Sequence, residues 1–221
     1  MTRILYDISP PLTADLAVFP GDTKLTREVL SRCEDGDLVT LSTLRATVHL
    51  GAHVDAPSHY KAGGAGIDQT PLSRLIGPCR VVRVHGDGDE DGLISPESAG
   101  SALNKQLTSA GQLPSRVLLA TESYPDPERW TADFTALAPE AIDWLAREGV
   151  TTIGIDTPSI DPAESKSLPA HAAVHRHGMT ILEGLVLKHV PEGDYELIAL
   201  PLRLVDFDAS PVRAVLRQLD R

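Results

Sequence analysis

The sequence predicts a single α/β domain, and three observations support this. The order strand, helix, strand can be read in the second half of the chain, over residues 117–120, 139–149 and 150–155. This order indicates helices packed on a sheet with parallel strands. A chain of 221 residues can bury the core of one domain. No linker long or polar enough to divide the chain is present, so we expect one domain over residues 1–221.

The other elements follow from short apolar or β-prone runs bounded by turn residues. Strands are expected over 3–8, 25–30, 38–48, 78–84, 179–187 and 195–204, followed by a short C-terminal segment around 211–216. The helix over 139–149 is the best defined, because Pro139 suits a first turn and Gly149 suits a C-terminal cap. Two further helices are expected over 95–112 and 169–178.

Composition narrows the class of protein and its partners. Hydrophobic residues make up 42% of the chain and charged residues 23%, which is typical of a globular protein. The net charge of −11 is spread along the sequence and argues against a nucleic-acid partner. No apolar run approaches the ~18 residues of a membrane span, and no charged-then-apolar leader opens the chain. Cys33 and Cys79 lack metal-type or redox spacing, so we expect a cytoplasmic protein.

The most informative stretch carries His49, His53, Asp55 and His59 within eleven residues. All four positions are odd and follow a β-prone run, so an extended chain would direct them to one face. The glycine, valine and proline inside the motif argue against a helix. Converging imidazole nitrogens and carboxylate oxygens are ligands that zinc and similar divalent cations prefer. The alternative is a set of hydrogen-bonded core histidines, which is costly to bury together without a cation.

A second set of candidate ligands lies in the last third of the chain. His171 and His175 are four residues apart and share one face of their predicted helix. Glu183 lies in an apolar strand, flanked on its own face by Ile181 and Leu185. A carboxylate in such a row is costly unless a cation or hydrogen bonds hold it. One of these histidines and the glutamate could therefore complete the metal site, and the residues alone leave the choice of histidine open.

Three other segments carry motifs with weaker functional interpretations. The acidic segment 87–92 is similar to the first half of a calcium loop, but Pro96 intervenes and Ser98 replaces the final glutamate. A solvated acidic turn is therefore favoured there. The glycine-rich segment 60–66 lacks the ending of a phosphate-binding loop. Residues 156–161 form a turn-rich loop after a strand, where ligand sites commonly gather, although each acid in it also fits a turn cap.

Segments covering nearly the whole chain carry a family resemblance. They are 7–12, 18–23, 49–59, 156–162, 181–185, 191–202 and 209–213. In these segments the sequence resembles bacterial kynurenine formamidases (arylformamidases), within the cyclase-like superfamily of metal-dependent hydrolases. The histidine motif marks the superfamily, and the loop and tail segments indicate the formamidase branch. The resemblance implies a swivelling β/β/α domain with a mixed, barrel-like sheet and flanking helices, assembled as a homodimer.

The resemblance also implies two divalent cations per subunit, usually Zn²⁺. The implied metal ligands are His49, His53, Asp55, His171 and Glu183. Asp55 would bridge the two ions and Glu183 would touch both. The family separates its later histidine and glutamate by twelve positions, which selects His171 rather than His175.

The implied activity is hydrolysis of the aryl formamide N-formyl-L-kynurenine to L-kynurenine and formate, a step of tryptophan degradation. His59 matches the family's proton donor and acceptor. Phe19 stands where relatives commonly carry tryptophan beside the substrate's aromatic ring, so it is a candidate substrate contact. A phenylalanine keeps the stacking face but lacks the indole N–H, which leaves the fine specificity open.

Two alternatives and several assignments stay open from the sequence. The first alternative keeps the metal site but acts on another aryl or cyclic amide, such as isatin. The second is a non-catalytic metal-binding protein with a closed site, which gives His59 no purpose. Imidazole and carboxylate ligands accept several metals, so the metal in the cell is not fixed. No role follows for residues 121–124 or for Tyr60, Asp156, Ser159, Asp161 and His175.

Overall fold

The protein is described here by a computed structural model that covers residues 5–86, 92–104 and 113–219. The strands are β1 (Leu5–Asp7), β2 (Thr26–Ser31), β3 (Leu41–Arg45), β4 (His53–Asp55), β5 (Ile76–Arg83), β6 (Leu93–Ile94), β7 (Arg116–Ala120), β8 (Ala136–Leu137), β9 (Thr152–Ile155), β10 (Thr180–Glu183), β11 (Gly193–Ile198), β12 (Ala209–Pro211) and β13 (Val215–Gln218). The helices are α1 (Pro57–Tyr60), α2 (Pro96–Asn104), α3 (Pro139–Arg147) and α4 (Pro169–His177). Most of the predicted acidic turn over 87–92 and the later part of the helix predicted over 95–112 lie outside the described residues. Among the residues covered, no helix has the length and apolar character needed to cross a membrane.

Nine strands form one curled, mixed sheet in the order β1-β13-β11-β5-β7-β9-β10-β4-β12. The four central strands, β5, β7, β9 and β10, run parallel to one another. The strands on either side of them pair in the antiparallel sense. This topology confirms the predicted α/β class with a mixed, barrel-like sheet and flanking helices.

Two hydrophobic cores lie on opposite faces of the sheet. In β7, Val117 and Leu119 pack in the core that the helices cover, whereas Leu118 and Ala120 pack in the core of the other face. Successive side chains of a strand point to opposite faces, so a strand covered on both sides must be apolar throughout. Helix α3 adds Ile142 and Leu145 to the first core, and its presence confirms the helix predicted over 139–149.

The histidine motif is not one extended segment, and that prediction over 49–59 is wrong. Only β4 is extended, because Gly51 has a φ of +59° and turns the chain between His49 and β4. Pro57 then begins the single helical turn α1, which carries His59. Proline disfavours a helix interior but fits a first turn, so its presence did not exclude a helix after the strand.

Strand β10 is also shorter than the strand predicted over 179–187. Gly184 follows it with a φ of +65°, which ends the regular alternation of faces. Ile181 therefore packs in the core beneath the helices, whereas Leu185 packs in the opposite core. The prediction that both residues flank Glu183 on its own face is correct for Ile181 and wrong for Leu185.

The C-terminal part of the chain contributes more sheet than predicted. The strand expected over 195–204 is present only in its first part, because β11 ends at Ile198. The segment around 211–216 lies among two further strands, β12 and β13. β12 pairs with β4, and β13 joins β11 to the N-terminal strand β1. The sequence carries no local signal for pairing between segments this far apart. The alternation of buried and exposed side chains along one strand is compatible with many partner strands.

The close packing of the chain at Gly184 gives a first prediction. A Cβ atom at Gly184 would lie 2.3 Å from the carbonyl oxygen of Gly51, in addition to the strain of a positive φ. Gly178→Ala is the matched control, because Gly178 has a φ of +59° but its added Cβ would meet nothing within 4 Å. We expect the control to lose roughly 1–2 kcal/mol of unfolding free energy. Gly184→Ala should lose clearly more in urea unfolding followed by circular dichroism, and equal losses would contradict the close packing.

Candidate metal centre

The register between β4 and β10 brings the first ligands together. His53 pairs with Glu183, and Asp55 pairs with Ile181. Residues opposite each other on antiparallel strands project to the same face, so these side chains meet. Nε2 of His53 lies 3.4 Å from Oε2 of Glu183 and 3.4 Å from Oδ1 of Asp55. Because Ile181 belongs to the core beneath the helices, this face is the one that the helices cover.

Helix α4 adds His171 to the same face. The Asp161 carboxylate accepts the backbone N–H groups of Ala170 and His171, and so caps the first turn of the helix. The same carboxylate lies 2.6 Å from Nδ1 of the His171 ring and fixes its orientation. Nε2 of His171 is then 3.4 Å from Oδ2 of Asp55 and 3.6 Å from Oε1 of Glu183.

His49 precedes β4 in the chain and His59 follows it, and both side chains lie beside the cluster. Nδ1 of His49 lies 3.1 Å from Oδ1 of Asp55, and its Nε2 lies 2.9 Å from Oδ2 of Asp208. The centroid of the His59 ring is 4.1 Å from that of His49, and Nδ1 of His59 is 3.7 Å from Oδ2 of Asp208. The structure thus brings the five predicted ligands and His59 into one cluster.

Four buried atoms of this cluster have no hydrogen-bond partner among the described residues. They are Nε2 of His53, Nε2 of His171 and both carboxylate oxygens of Asp55. Neighbouring nitrogen and oxygen atoms are close, yet they do not point at one another as hydrogen-bond partners would. An unpaired buried polar atom costs roughly 1–3 kcal/mol, so four of them require a compensating group. Imidazole and carboxylate atoms in this state fit a divalent cation.

The possible ligand atoms fall into two groups that share Asp55. One group is His53, Asp55 and Glu183, and the other is His49, Asp55 and His59. Within each group the ligand atoms lie within 4.8 Å of one another. A carboxylate common to two groups is suited to bridge two cations. The second group contains His59, to which the family resemblance gives a role in proton transfer and not in metal binding.

Positive charge is favoured on His49, His53 and His171. Burial lowers the pKa of His53, but the neighbouring Asp55 and Glu183 carboxylates outweigh it and raise that pKa to about 10. For His171 burial is likewise outweighed, and Asp161 and Asp55 raise the pKa to about 10. Burial acts to raise the pKa of Asp55, but His171 and the other imidazoles hold it well below its usual range. The cluster therefore attracts protons or a metal ion, and metal binding would release protons.

His59 differs from the other histidines of the cluster. Burial is the largest influence on its ring and lowers the pKa below the ordinary value for histidine, despite the nearby Asp55. Its side chain nevertheless remains 34% exposed, so it is open to a bound molecule. A neutral imidazole can accept a proton on one nitrogen and donate from the other, which suits proton transfer.

A cavity of about 490 Å³ adjoins the cluster and includes its histidines and Glu183 in its wall. Phe19 also lines the cavity, with its ring centroid 4.6 Å from that of Trp130 in an edge-on arrangement. Tyr124 lines the same cavity, with its ring centroid 6.4 Å from that of Trp130. The cavity thus combines an aromatic wall with a polar cluster that fits a metal.

The residues without an assigned role occupy different places. Asp156 accepts the backbone N–H groups of Thr121 and Glu122, and so holds the corner after β7 where Glu122 has a φ of +57°. Burial raises the pKa of this Asp156 carboxyl. Ser159 lines the cavity and accepts the N–H of Asp161 at 3.1 Å. The ring of Tyr60 lies 5.2 Å from that of His171, whereas His175 is exposed.

Sequence reasoning missed Asp208 and the aromatic wall formed with Trp130 and Tyr124. Asp208 is separated from His49 by 159 positions, and it immediately precedes β12, which pairs with β4. No local sequence pattern identifies Asp208 as a partner of His49. The aromatic residues did offer a signal, because only 4% of the chain is aromatic and several of these few side chains lie between residues 124 and 134.

Comparison with known proteins agrees with these features. The family model described as Cyclase matches residues 6–162. The kynurenine formamidases of Bordetella pertussis and Bordetella bronchiseptica are each 51% identical to this chain over 215 residues. Each alignment covers 97% of this chain and 98% of the relative.

Solved structures show the same fold. A predicted metal-dependent hydrolase from Bacillus stearothermophilus is 29% identical, with a TM-score of 0.79, over 99% of this chain and 100% of that one. An isatin hydrolase bound to the product analogue thioisatinate has a TM-score of 0.80 over 99% of this chain and 93% of that one. It is 20% identical, so the likeness concerns the fold alone. This chain matches the cyclase family model and is 51% identical to curated kynurenine formamidases. It therefore belongs to the cyclase family, within the kynurenine formamidase branch.

Proposed function

We propose that the protein is a kynurenine formamidase, which hydrolyses the formamide C–N bond of N-formyl-L-kynurenine and releases L-kynurenine and formate. The observation that carries the proposal is the buried imidazole–carboxylate cluster, with its unpaired Nε2 and carboxylate oxygen atoms, in the wall of an aromatic cavity. The substrate is the one named by relatives that are 51% identical over nearly the whole chain. An aryl formamide fits this cavity, because its ring can contact aromatic side chains while its carbonyl group meets the cluster.

The proposal includes two Zn²⁺ ions per subunit, held by His49, His53, Asp55, His171 and Glu183. Its support is that two groups of possible ligand atoms share Asp55, one with His49 and one with His53 and Glu183, and that Nε2 of His171 lies 3.4 Å from Oδ2 of Asp55. His59 also belongs to the group of His49. The ring orientations agree with this, since Nδ1 of His53 contacts the carbonyl oxygen of Gly51 at 2.8 Å and leaves Nε2 for a ligand role. Divalent cations of this kind, when bound, lower the pKa of water and polarise a carbonyl oxygen.

His59 is proposed as the proton donor and acceptor of the reaction. An anilide nitrogen is a poor leaving group until it is protonated, so a general acid must stand beside it as the C–N bond breaks. The lowered pKa of His59 keeps its ring neutral at neutral pH, and therefore able to take up a proton before it donates one. Asp208 lies beside both His59 and His49 and would orient the two rings.

Phe19 is proposed as a substrate contact. Its ring lines the cavity and is itself held by Trp130, at 4.6 Å between centroids. The pair offers an aromatic surface to the benzene ring of the substrate, and an edge-on aromatic pair is worth about 0.5–1.5 kcal/mol beyond buried area. Trp130 also supplies an indole at a cavity where Phe19 itself has none.

We also propose one hydrolase domain over residues 1–221 and a cytoplasmic location. β1 near the start of the chain pairs with β13 near its end in the same sheet, which supports a single domain.

Cys33 and Cys79 are both free thiols, as expected in a reducing compartment such as the cytoplasm. Thiol labelling of freshly lysed cells tests the location, since oxidised cysteines would contradict it.

The activity is tested directly with N-formyl-L-kynurenine. We expect the purified protein to release kynurenine, followed by its absorbance, to lose activity after chelation and to regain it with Zn²⁺. Metal analysis of the active protein should find about two zinc ions per chain, as the shared Asp55 suggests. Isatin serves as the comparison substrate, and efficient hydrolysis of isatin alone would reject the proposed function.

His59→Ala separates a proton carrier from a metal ligand. We expect a loss of about 10²–10⁴-fold in kcat with unchanged metal content, because general acid–base catalysis contributes about that factor. His175→Ala is the matched control, since His175 is exposed and outside the cavity that holds the cluster. If metal is lost together with the His59 side chain, His59 is a ligand in the group that includes His49 and Asp55, and its proposed role is wrong.

A homodimer is proposed from the family resemblance, and the hairpin of β2 and β3 supports it. This hairpin stands apart from the main sheet and exposes large apolar side chains, including Leu38 at 98% and Leu44 at 65%. Such patches commonly mark protein–protein contacts.

Light scattering after gel filtration should give about 47 kDa, twice the 23.7 kDa of one chain. Leu44→Glu should shift the protein toward the monomer mass, because the charge would be buried in the contact. Lys24→Glu, on an exposed residue before the hairpin, is the control for added negative charge. A monomeric parent protein would contradict the proposal.

A further inference from the structure

The charges around the cavity are strongly unbalanced. Four carboxylates line it, namely Asp22, Glu122, Asp156 and Glu183, whereas Lys188 is the only lysine or arginine among its described lining residues. Glu183 belongs to the cluster that fits a metal, and Asp156 is held by the backbone of the corner after β7. The chain as a whole carries a net charge of −11. The positive charge of the histidine cluster compensates Glu183, so the uncompensated acids lie away from the cluster. A negatively charged group placed in that part of the cavity would meet repulsion unless a cation receives it.

Arg83 compensates one of these acids and leaves Lys188 free. Nε of Arg83 lies 2.9 Å from Oε1 of Glu122, and its Nη2 donates to the carbonyl oxygens of Lys188 and Val190. The guanidinium thus pairs Glu122 and at the same time fixes the backbone of Lys188. Lys188 is exposed, and it makes no ion pair with an acidic side chain among the described residues.

The backbone around Lys188 is also fixed by the fold. Residues 185–188 line the cavity directly after the cluster residue Glu183. The N–H of Leu185 donates to the carbonyl oxygen of Ile155, and the N–H of Val186 donates to that of Ile8. Lysine combines this fixed base with a flexible four-carbon stem and a compact charge, so it can follow a carboxylate in more than one position.

We propose that Lys188 binds the α-carboxylate of the substrate and makes the enzyme selective for aryl formamides that carry an amino-acid chain. The proposal rests on the proposed function, because N-formyl-L-kynurenine joins an aryl formamide to a zwitterionic amino-acid group. The aromatic ring would lie against Phe19 and Trp130, with the formamide at the histidine cluster. With the formamide at the histidine cluster, Lys188 is the lysine of the described cavity lining that can meet the carboxylate.

Three compounds separate recognition of the carboxylate from the chemistry of the formamide. N-formyl-L-kynurenine carries both the carboxylate and the ammonium group. N-formylkynuramine lacks only the carboxylate, and N-(2-acetylphenyl)formamide lacks the whole amino-acid group. The readout is the ratio of kcat/KM for N-formyl-L-kynurenine to kcat/KM for each of the other two compounds, so that changes in folding or metal content cancel.

We expect Lys188→Met to lower both ratios about fivefold, mainly through KM, since a partly exposed ion pair is worth about that factor. Lys188→Arg should retain most of the ratio, because it keeps the positive charge. Lys166→Met is the matched control, since Lys166 is exposed, carries the same charge and does not line the cavity. Its ratios should equal those of the parent protein.

Two results would overturn the assignment of Lys188. Unchanged ratios in Lys188→Met would show that this side chain does not read the carboxylate. An equal drop in Lys166→Met would show a general charge effect. Failure of the proposed function looks different, because the parent protein would then hydrolyse none of the three compounds, and the assignment of Lys188 would fall with it.

Discussion

The pairing of β4 with β10 is the constraint on which the site depends. It places His53 opposite Glu183 and sets Asp55 on the same face, beneath helix α4. A shift of one residue in this register would turn all three side chains to the opposite core. The pairing is fixed from both sides, because β12 closes the outer edge of β4 and β9 closes the inner edge of β10.

The buried charges of Asp55 and Glu183 explain why so many neighbouring groups contact the cluster. Asp55 is 2% exposed and Glu183 is 3% exposed, so each carboxylate needs a positive partner inside the fold. Asp161 and Gly51 orient the His171 and His53 rings through their Nδ1 atoms. The result is a cluster whose remaining atoms turn inward, which is an arrangement suited to a metal ion.

The same fold separates chemistry from recognition. His53, Asp55 and Glu183 lie on paired strands of the sheet between two cores, and His171 lies on a helix packed against that sheet. The aromatic wall and Lys188 lie on loops that border the cavity, where substitutions cost little stability. The loop residues around the cavity can therefore change without disturbing the strands that position the cluster.

The sequence by itself determined the α/β class, the principal helix, most strands and the stretch that would carry the metal ligands. Each of these has a local signal, such as a strand period, a cap residue or a cluster of unusual side chains. The local shape of the histidine motif was misjudged, because a left-handed Gly51 and a first-turn proline allow bends that residue preferences alone do not reveal. Only the tertiary structure decided that β12 pairs with β4, that Asp208 stands beside His49 and His59, and that Trp130 and Lys188 face the same cavity. Contacts between such distant segments arise from packing of the whole chain, and no local pattern encodes which partners meet.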